Sequence, residues 1–167
     1  MAFVPSEGYP GLVSFTNVDA SAARTIPVGT IVRGFDSSLG GGEFIYLAGV
    51  TSNAIGALAT WNPVDKTTTL VPNTAKLGYP VAVSLTANTT ATSYSWYQIS
   101  GAASVLKSAA AIAKGARIAI SGTAGTVLGT STAGKFVNNA IAVNSTVSAT
   151  TFAKILINRP YMENHAT

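Results

Sequence analysis

Short runs of β-forming residues, separated by turn residues, restrict the fold of this 167-residue chain more than any other feature of its sequence. Val, Ile, Phe, Tyr, Trp and Thr fill these runs, and Gly, Pro and Asn separate many of them. Strands interrupted this often are typical of β-sandwiches and small β-barrels. The sequence therefore predicts an all-β fold, with strands at residues 30–35, 43–50, 57–61, 67–71, 81–85, 95–100, 104–106, 117–121, 125–128, 140–143 and 154–158.

Two stretches interrupt this pattern. The three consecutive glycines at residues 40–42 indicate a flexible turn between two strands. Residues 108–114 (SAAAIAK) have high helix propensity, but seven residues are too few for a stable isolated helix. Two interpretations of this stretch stay open, a strand of small residues and a single helical turn.

Residues 1–24 differ in character from the rest of the chain, because Pro and Gly break up an otherwise apolar segment. Such a segment needs a surface to cover its apolar side chains, either on its own domain or on a neighbouring subunit. We therefore expect an extended N-terminal arm at residues 1–24, followed by a single β-barrel or β-sandwich domain at residues 25–167 with a short C-terminal tail.

The composition leaves few groups for catalysis or metal binding. Cysteine is absent, and the only histidine, His165, lies three positions from the end. The chain has six carboxylates, which are dispersed along the sequence. We therefore expect no enzymatic activity, no metal and no cofactor.

The charge distribution gives no sign of a nucleic-acid or membrane partner. The net charge is +4, but the ten Lys and Arg residues are scattered singly rather than clustered. The first residues have neither a basic nor a long apolar stretch, and no run of residues is apolar enough to span a membrane. We expect synthesis in the cytoplasm and neither of these partners.

A few side chains have alternative interpretations. Trp61, Trp96 and Tyr97 could stack on a sugar in a glycan-binding module, or they could anchor the core or an interface. Glu43, which follows the three glycines, could be catalytic, although a charge that protects a strand edge is the favoured interpretation. The tail at residues 158–162 contains Arg, Tyr and Met, which are enriched at protein interfaces, and its alternative interpretation is a loose tail.

Several segments, taken in order, resemble the capsid decoration (cement) proteins of tailed bacteriophages. The likeness covers most of residues 26–160, and its strongest piece is the combination of the glycine pattern with WYQISG. The segments are IPVGTIVRG (26–34), GGGEFIYLAGV (40–50), GALATWN (56–62), SWYQISG (95–101) and NRP (158–160).

The resemblance implies a structural virion protein on the outside of the capsid. Such a protein would cement neighbouring major capsid protein subunits and stabilise the expanded shell. It would also contact further copies of itself, in a homotrimer at threefold or quasi-threefold positions. The alternative function is a β-sandwich module for glycan binding or adhesion. We expect the interface residues to be Phe3, Val4, Tyr9, Leu12, Phe15, Arg159, Tyr161 and Met162.

Overall fold

The computed structural model describes residues 4–5, 14–21, 26–130 and 133–164. These residues form eleven β-strands and no helix, which confirms the all-β fold class. The strands are β1 (Val4–Pro5), β2 (Ile31–Asp36), β3 (Gly40–Ala48), β4 (Leu58–Trp61), β5 (Thr68–Leu70), β6 (Val81–Ser84), β7 (Tyr94–Leu106), β8 (Arg117–Ile120), β9 (Val127–Leu128), β10 (Phe136–Ala142) and β11 (Phe152–Met162).

All eleven strands belong to one curled antiparallel sheet. The main path runs β1-β2-β3-β7-β11-β10-β8-β9. A branch leaves β7, where β6 pairs with β7, β4 with β6, and β5 with β4. The long central strand β7 pairs with strands of both the main path and the branch. Its pairing with β3 shifts by one residue between Glu43 and Phe44. Such a bulge increases local bending, which suits a sheet that curls into a half-barrel.

Alternating side chains of these strands build three core clusters. The largest includes alternate residues of β7, β8 and β11, among them Val105, Ile118 and Ile155. A second, aromatic cluster contains Phe44, Tyr46 and Trp96. The third lies on the opposite side of β3 and contains Ile45, Leu47 and Tyr97. Strand β3 is thus buried on both faces along its second half.

Three local expectations differ from the structure. The tail expected at residues 158–162 is the last part of strand β11, which continues to Met162. The three glycines at 40–42 begin strand β3, and the turn lies at residues 37–39 instead. This turn is fixed by Asp36, whose Oδ1 accepts hydrogen bonds from the N–H groups of Ser38 (2.7 Å) and Leu39 (2.9 Å). A side-chain cap thus provides the turn that glycine was expected to provide.

Residues 108–114 form neither a regular strand nor a helical turn. Their single ladder contact is an isolated bridge from Ile112 to Thr146. The buried Lys107 holds the loop, because its Nζ donates to the carbonyl oxygens of Ser108 (3.0 Å), Ala110 (2.8 Å) and Ser148 (3.4 Å). Hydrogen bonds from this lysine to backbone carbonyl groups therefore hold the loop, in place of the regular strand pairing that its small residues could have formed.

The described parts of the N-terminal segment pack on the chain's own domain. Val4 pairs with Phe35 and extends the sheet beyond β2. Phe15 is fully buried, with its ring centroid 4.4 Å from that of Phe44 and 5.4 Å from that of Trp96. A Cβ at Gly34 would lie 2.7 Å from the Phe15 ring, so glycine is needed where this ring enters the core.

Candidate functional site

A polar row crosses the outward face of the sheet. Residues paired across antiparallel strands point to the same face. Arg33 of β2 pairs with Glu43 of β3, and Glu43 pairs with Ser100 of β7. Ser100 pairs in turn with Asn158 of β11. Four neighbouring strands therefore present these side chains to the same side.

Two residues further along each strand, the outward side chains become apolar. Leu156 pairs with Ala102 on one side and with Ile141 on the other, while Phe35 pairs with Gly41 and Val4. The larger side chains of this row are 43–62% exposed. We call this set the apolar row: Val4, Phe35, Gly41, Ala102, Leu156 and Ile141.

The polar and apolar rows together form the outer sheet face. Contiguous apolar side chains on a rigid exposed surface are typical of protein interaction sites. Lys154 borders the apolar row on the side away from Glu43, opposite Ser104 of β7. Arg117 of β8 pairs with Ile141 and is also exposed on this face. With Arg33, Lys154 and Arg159 against Glu43, the face has a local charge of +3.

Glu43 lies between two arginines on this face. Its Oε2 accepts hydrogen bonds from Nη2 (3.1 Å) and Nε (3.2 Å) of Arg159. Its Oε1 lies 3.6 Å from Nε of Arg33. The side chains of Arg33 and Arg159 are 69% and 63% exposed, whereas that of Glu43 is 23% exposed. Strand β3 is paired with β2 on one side and with β7 on the other, so the interpretation of Glu43 as a charge that protects a strand edge is wrong. Its contacts fit a charge that organises the sheet face instead.

A β-bulge brings Arg159 to the outer sheet face. The pairing between β10 and β11 shifts between Asn138 and Ala140, and both Asn139 (φ 57°) and Arg159 (φ 45°) have left-handed backbone conformations. Burial alternates regularly along β11 until Asn158 and Arg159, which are both exposed. Without the bulge, the next residue after an exposed one would face the core, so the irregularity re-aims Arg159.

The structure separates the expected interface residues into three groups. Val4, Arg159 and Tyr161 are exposed, and Val4 and Arg159 belong to the outer sheet face. Phe15 and Met162 are 0% and 1% exposed, because they fill the chain's own core, and they are not surface residues. The other three expected residues, Phe3, Tyr9 and Leu12, lie outside the described residues.

The aromatic residues suggested for glycan stacking are similarly divided. Trp96 and Tyr97 are fully buried core anchors and offer no face to a ligand. Trp61 is partly buried, and Nζ of Lys66 lies 5.4 Å from its ring centroid. A small pocket beside it is lined by Thr60, Trp61, Asn62, Thr67, Thr69 and Tyr79.

Sequence reasoning missed the main apolar groups of the outer sheet face. Phe35 lies on the same face of β2 as Ile31 and Arg33, and all three side chains are exposed. Because Arg33 is charged, it indicates that this face points outward. Leu156 lies between the two buried isoleucines Ile155 and Ile157 in the same way. The alternation of side chains along each strand therefore indicates which residues face outward, whereas the hydrophobicity of the individual residues does not.

The described carboxylates are engaged in local structure. Oδ1 of Asp65 accepts hydrogen bonds from the backbone N–H (3.0 Å) and hydroxyl (2.8 Å) of Thr67, which hold the pKa of Asp65 below its usual value. Oε2 of Glu163 accepts from the N–H groups of Gly134 (2.7 Å) and Phe136 (3.3 Å). Within the described ranges, no three His, Asp or Glu side chains gather as a metal site would require.

Comparisons with known proteins return no match, either to a protein-family model or to a curated protein. In the part of the chain that the structure describes, no helix is long and apolar enough to cross a membrane.

Proposed function

We propose that this protein is a structural docking protein that uses the outer sheet face to bind other protein subunits. Following the sequence resemblance, these subunits are the major capsid protein of a tailed bacteriophage, and the protein cements neighbouring copies on the outside of the expanded shell. The observation that carries the proposal is the apolar row, which presents two pairs of large exposed apolar side chains, Val4 with Phe35 and Leu156 with Ile141. Between the two pairs, β3 and β7 contribute only Gly41 and Ala102.

The physical basis is the burial of this row against a partner. Strand pairing already fixes the backbone that carries these side chains, so no backbone segment of the row has to become ordered on docking. A protein that binds only the expanded shell stabilises that form by mass action. When one copy contacts the shell at several points, the combined contacts bind more tightly than any single weak contact does.

The resemblance also supports self-association as a homotrimer at threefold or quasi-threefold positions. Tyr161 is 41% exposed next to the buried Met162, at the end of the last strand. Tyrosine is enriched at interfaces, so this end of β11 is where we place contacts between copies.

Reconstitution on shells tests the docking function. Expanded shells without this protein are mixed with the purified full chain, and occupancy per major capsid subunit is measured after gradient separation. We expect saturable binding at about one copy per subunit, and at least a tenfold loss of affinity for Phe35→Ser and Leu156→Ser. Val64→Ser is the matched control, because Val64 is 87% exposed and lies in the connection between β4 and β5. Absence of binding, or an equal loss for all three variants, would reject this function.

The second candidate function is glycan binding at Trp61. The pocket beside it combines two aromatic residues with an amide and three hydroxyl side chains, a mixture that suits a sugar. Because Trp96 is buried, a saturable fluorescence change on titration with host-surface glycans, abolished in Trp61→Phe, would favour this module over the docking protein.

A further inference from the structure

We propose that Arg33 and Arg159 form a clamp for a carboxylate of the docking partner, and that Glu43 occupies this clamp until the partner's acid replaces it. This inference rests on the proposed docking function and specifies its chemistry. The partner's binding surface would then be an aspartate or glutamate flanked by apolar side chains.

The geometry of the three side chains supports an exchange. Glu43 is the least exposed of the three, and the two arginines approach it from opposite sides of the same face. Arg159 uses Nε and Nη2 on a single oxygen of Glu43, and Arg33 approaches the other oxygen only at 3.6 Å. Guanidinium donors on both arginines therefore remain uncommitted among the described residues, and the planar fork of arginine suits a second carboxylate.

The backbone of β11 supports a role for Arg159 beyond that of a surface charge. This non-glycine residue has φ 45°, a conformation that L-residues rarely adopt. Strained positions of this kind persist where the surrounding structure holds them, and they occur frequently at functional sites. Here the bulge brings a second guanidinium to the same carboxylate, which Arg33 already faces across its strand pair.

The surroundings of the clamp indicate what would enter it. A shallow groove of about 540 Å³ runs beside the arginines, with Gly41 and Gly42 among its lining residues and Phe35 alongside. Gly41, whose Cβ would meet no atom closer than 4.0 Å, leaves room for a partner chain, and Phe35 offers apolar contact to the residue beside the acid. A basic partner would meet two arginines before it reached the partly buried Glu43.

Exchange of the carboxylate is feasible because exposed ion pairs contribute little free energy. The arginines are more than half exposed, so their pairing with Glu43 is screened by solvent. A partner that brings its own acid together with apolar contacts gains the buried surface and restores the ion pairs. Replacing Glu43 by a neutral residue should therefore strengthen binding of an acidic partner.

The test uses the full chain and three capped pentapeptides, Thr-Val-Glu-Val-Thr and its Gln and Lys versions, titrated in ¹⁵N-resolved NMR. We expect saturable shifts of the amides around Arg33, Gly42 and Arg159 with the Glu peptide alone. Arg33→Gln and Arg159→Gln should each weaken binding at least fivefold, and Glu43→Gln should strengthen it about two- to fivefold. Lys114→Gln, which removes an exposed cation elsewhere, is the charge-matched control.

Two results would overturn the clamp: weaker binding of the Glu peptide by Glu43→Gln, or equal binding of the Glu and Lys peptides. Amide spectra of each variant report whether it is folded. The outcome is separable from that of the docking function. Shell occupancy that depends on Phe35 and Leu156 but not on the arginines would reject the clamp alone. Binding of the Glu peptide by a protein that never loads onto shells would reject the docking function alone.

Discussion

At the scale of single residues, Tyr97 shows how burial turns a polar side chain into a pH-sensitive element. Its ring is fully buried, its hydroxyl donates to the carbonyl oxygen of Ala48 (3.1 Å), and it accepts from Nδ2 of Asn53 (3.3 Å). Burial raises the pKa of Tyr97 to about 12. The folded state therefore keeps the phenol protonated at a pH where an exposed tyrosine has already ionised.

We predict that Tyr97 makes the protein sensitive to alkaline pH. The unfolded chain releases this proton near pH ~10, so the contribution of Tyr97 is complete below that pH. It is lost as the pH rises to about 12, at a slope of up to ~1.4 kcal/mol per pH unit. Urea unfolding at several pH values above neutrality measures this slope, and Tyr97→Phe should reduce it. Parallel pH curves for the wild type and the variant would contradict the prediction.

The same residue illustrates what the sequence can and cannot resolve. An aromatic cluster such as SWYQIS predicts a strand, because bulky β-formers suit a pleated surface. Whether Trp96 and Tyr97 bind a ligand or fill the core depends on which strands cover them. That covering comes from β3 and from Phe15, which are distant in sequence. A distant contact of this kind leaves no local signal.

At the scale of elements, the close approach of β3 and β7 depends on glycine. A Cβ at Gly42 would lie 2.7 Å from the carbonyl oxygen of Ser100, and one at Gly101 would lie 2.3 Å from that of Gly41. The three glycines at 40–42 were interpreted as a turn because glycine usually marks one. In the structure they are strand residues, and of the three it is Gly42 whose missing side chain lets β3 lie tightly against β7.

We predict that Gly42→Ala destabilises the protein by about 1–3 kcal/mol, the range for a side chain forced into a packed site. Gly41→Ala is the matched control on the same strand, since the nearest atom to its Cβ, the carbonyl oxygen of Gly34, would be 4.0 Å away. Chemical denaturation of both variants gives the comparison. Equal stability of the two variants would show that the contact with Ser100 relaxes without cost.

The presence and approximate position of the strands were the most predictable part of the fold. Each expected strand overlaps an observed one, because Gly, Pro and Asn mark the interruptions between them. Lengths were less accessible: residues 95–100 and 104–106 belong to one strand, β7, which continues through Gly101 at φ 97°. The bulge that exposes Arg159 was also invisible, because register is set by pairing between strands.

At the scale of the whole molecule, the N-terminal segment and the sheet share one core. Phe15 contacts the rings of Phe44 and Trp96, and Asp19 exchanges backbone hydrogen bonds with Tyr94 (2.7 and 2.8 Å). An extended arm that only adheres to a neighbour would not bury a ring in its own domain. Residues 14–21 therefore contribute to folding as well as to any contact outside the molecule.

We predict that Phe15→Ala lowers the free energy of unfolding by about 3–5 kcal/mol, as expected for removal of a buried aromatic ring. Val18→Ala is the control in the same segment, because Val18 is 41% exposed and should change stability far less. Thermal and chemical unfolding should each show one transition. An unchanged stability of Phe15→Ala would mean that the segment detaches from the core without consequence.

The shortness of the outermost strands has a consequence for the protein before it meets any partner. Among the described residues, β9 and β5 are paired on one side only, and they are two and three residues long. Unpaired strand edges invite chain-to-chain polymerisation, and short edges offer little to extend. With only 10% charged residues, the chain has few charged side chains that could protect its strand edges. The colloidal stability of the free protein in solution therefore depends on this edge geometry.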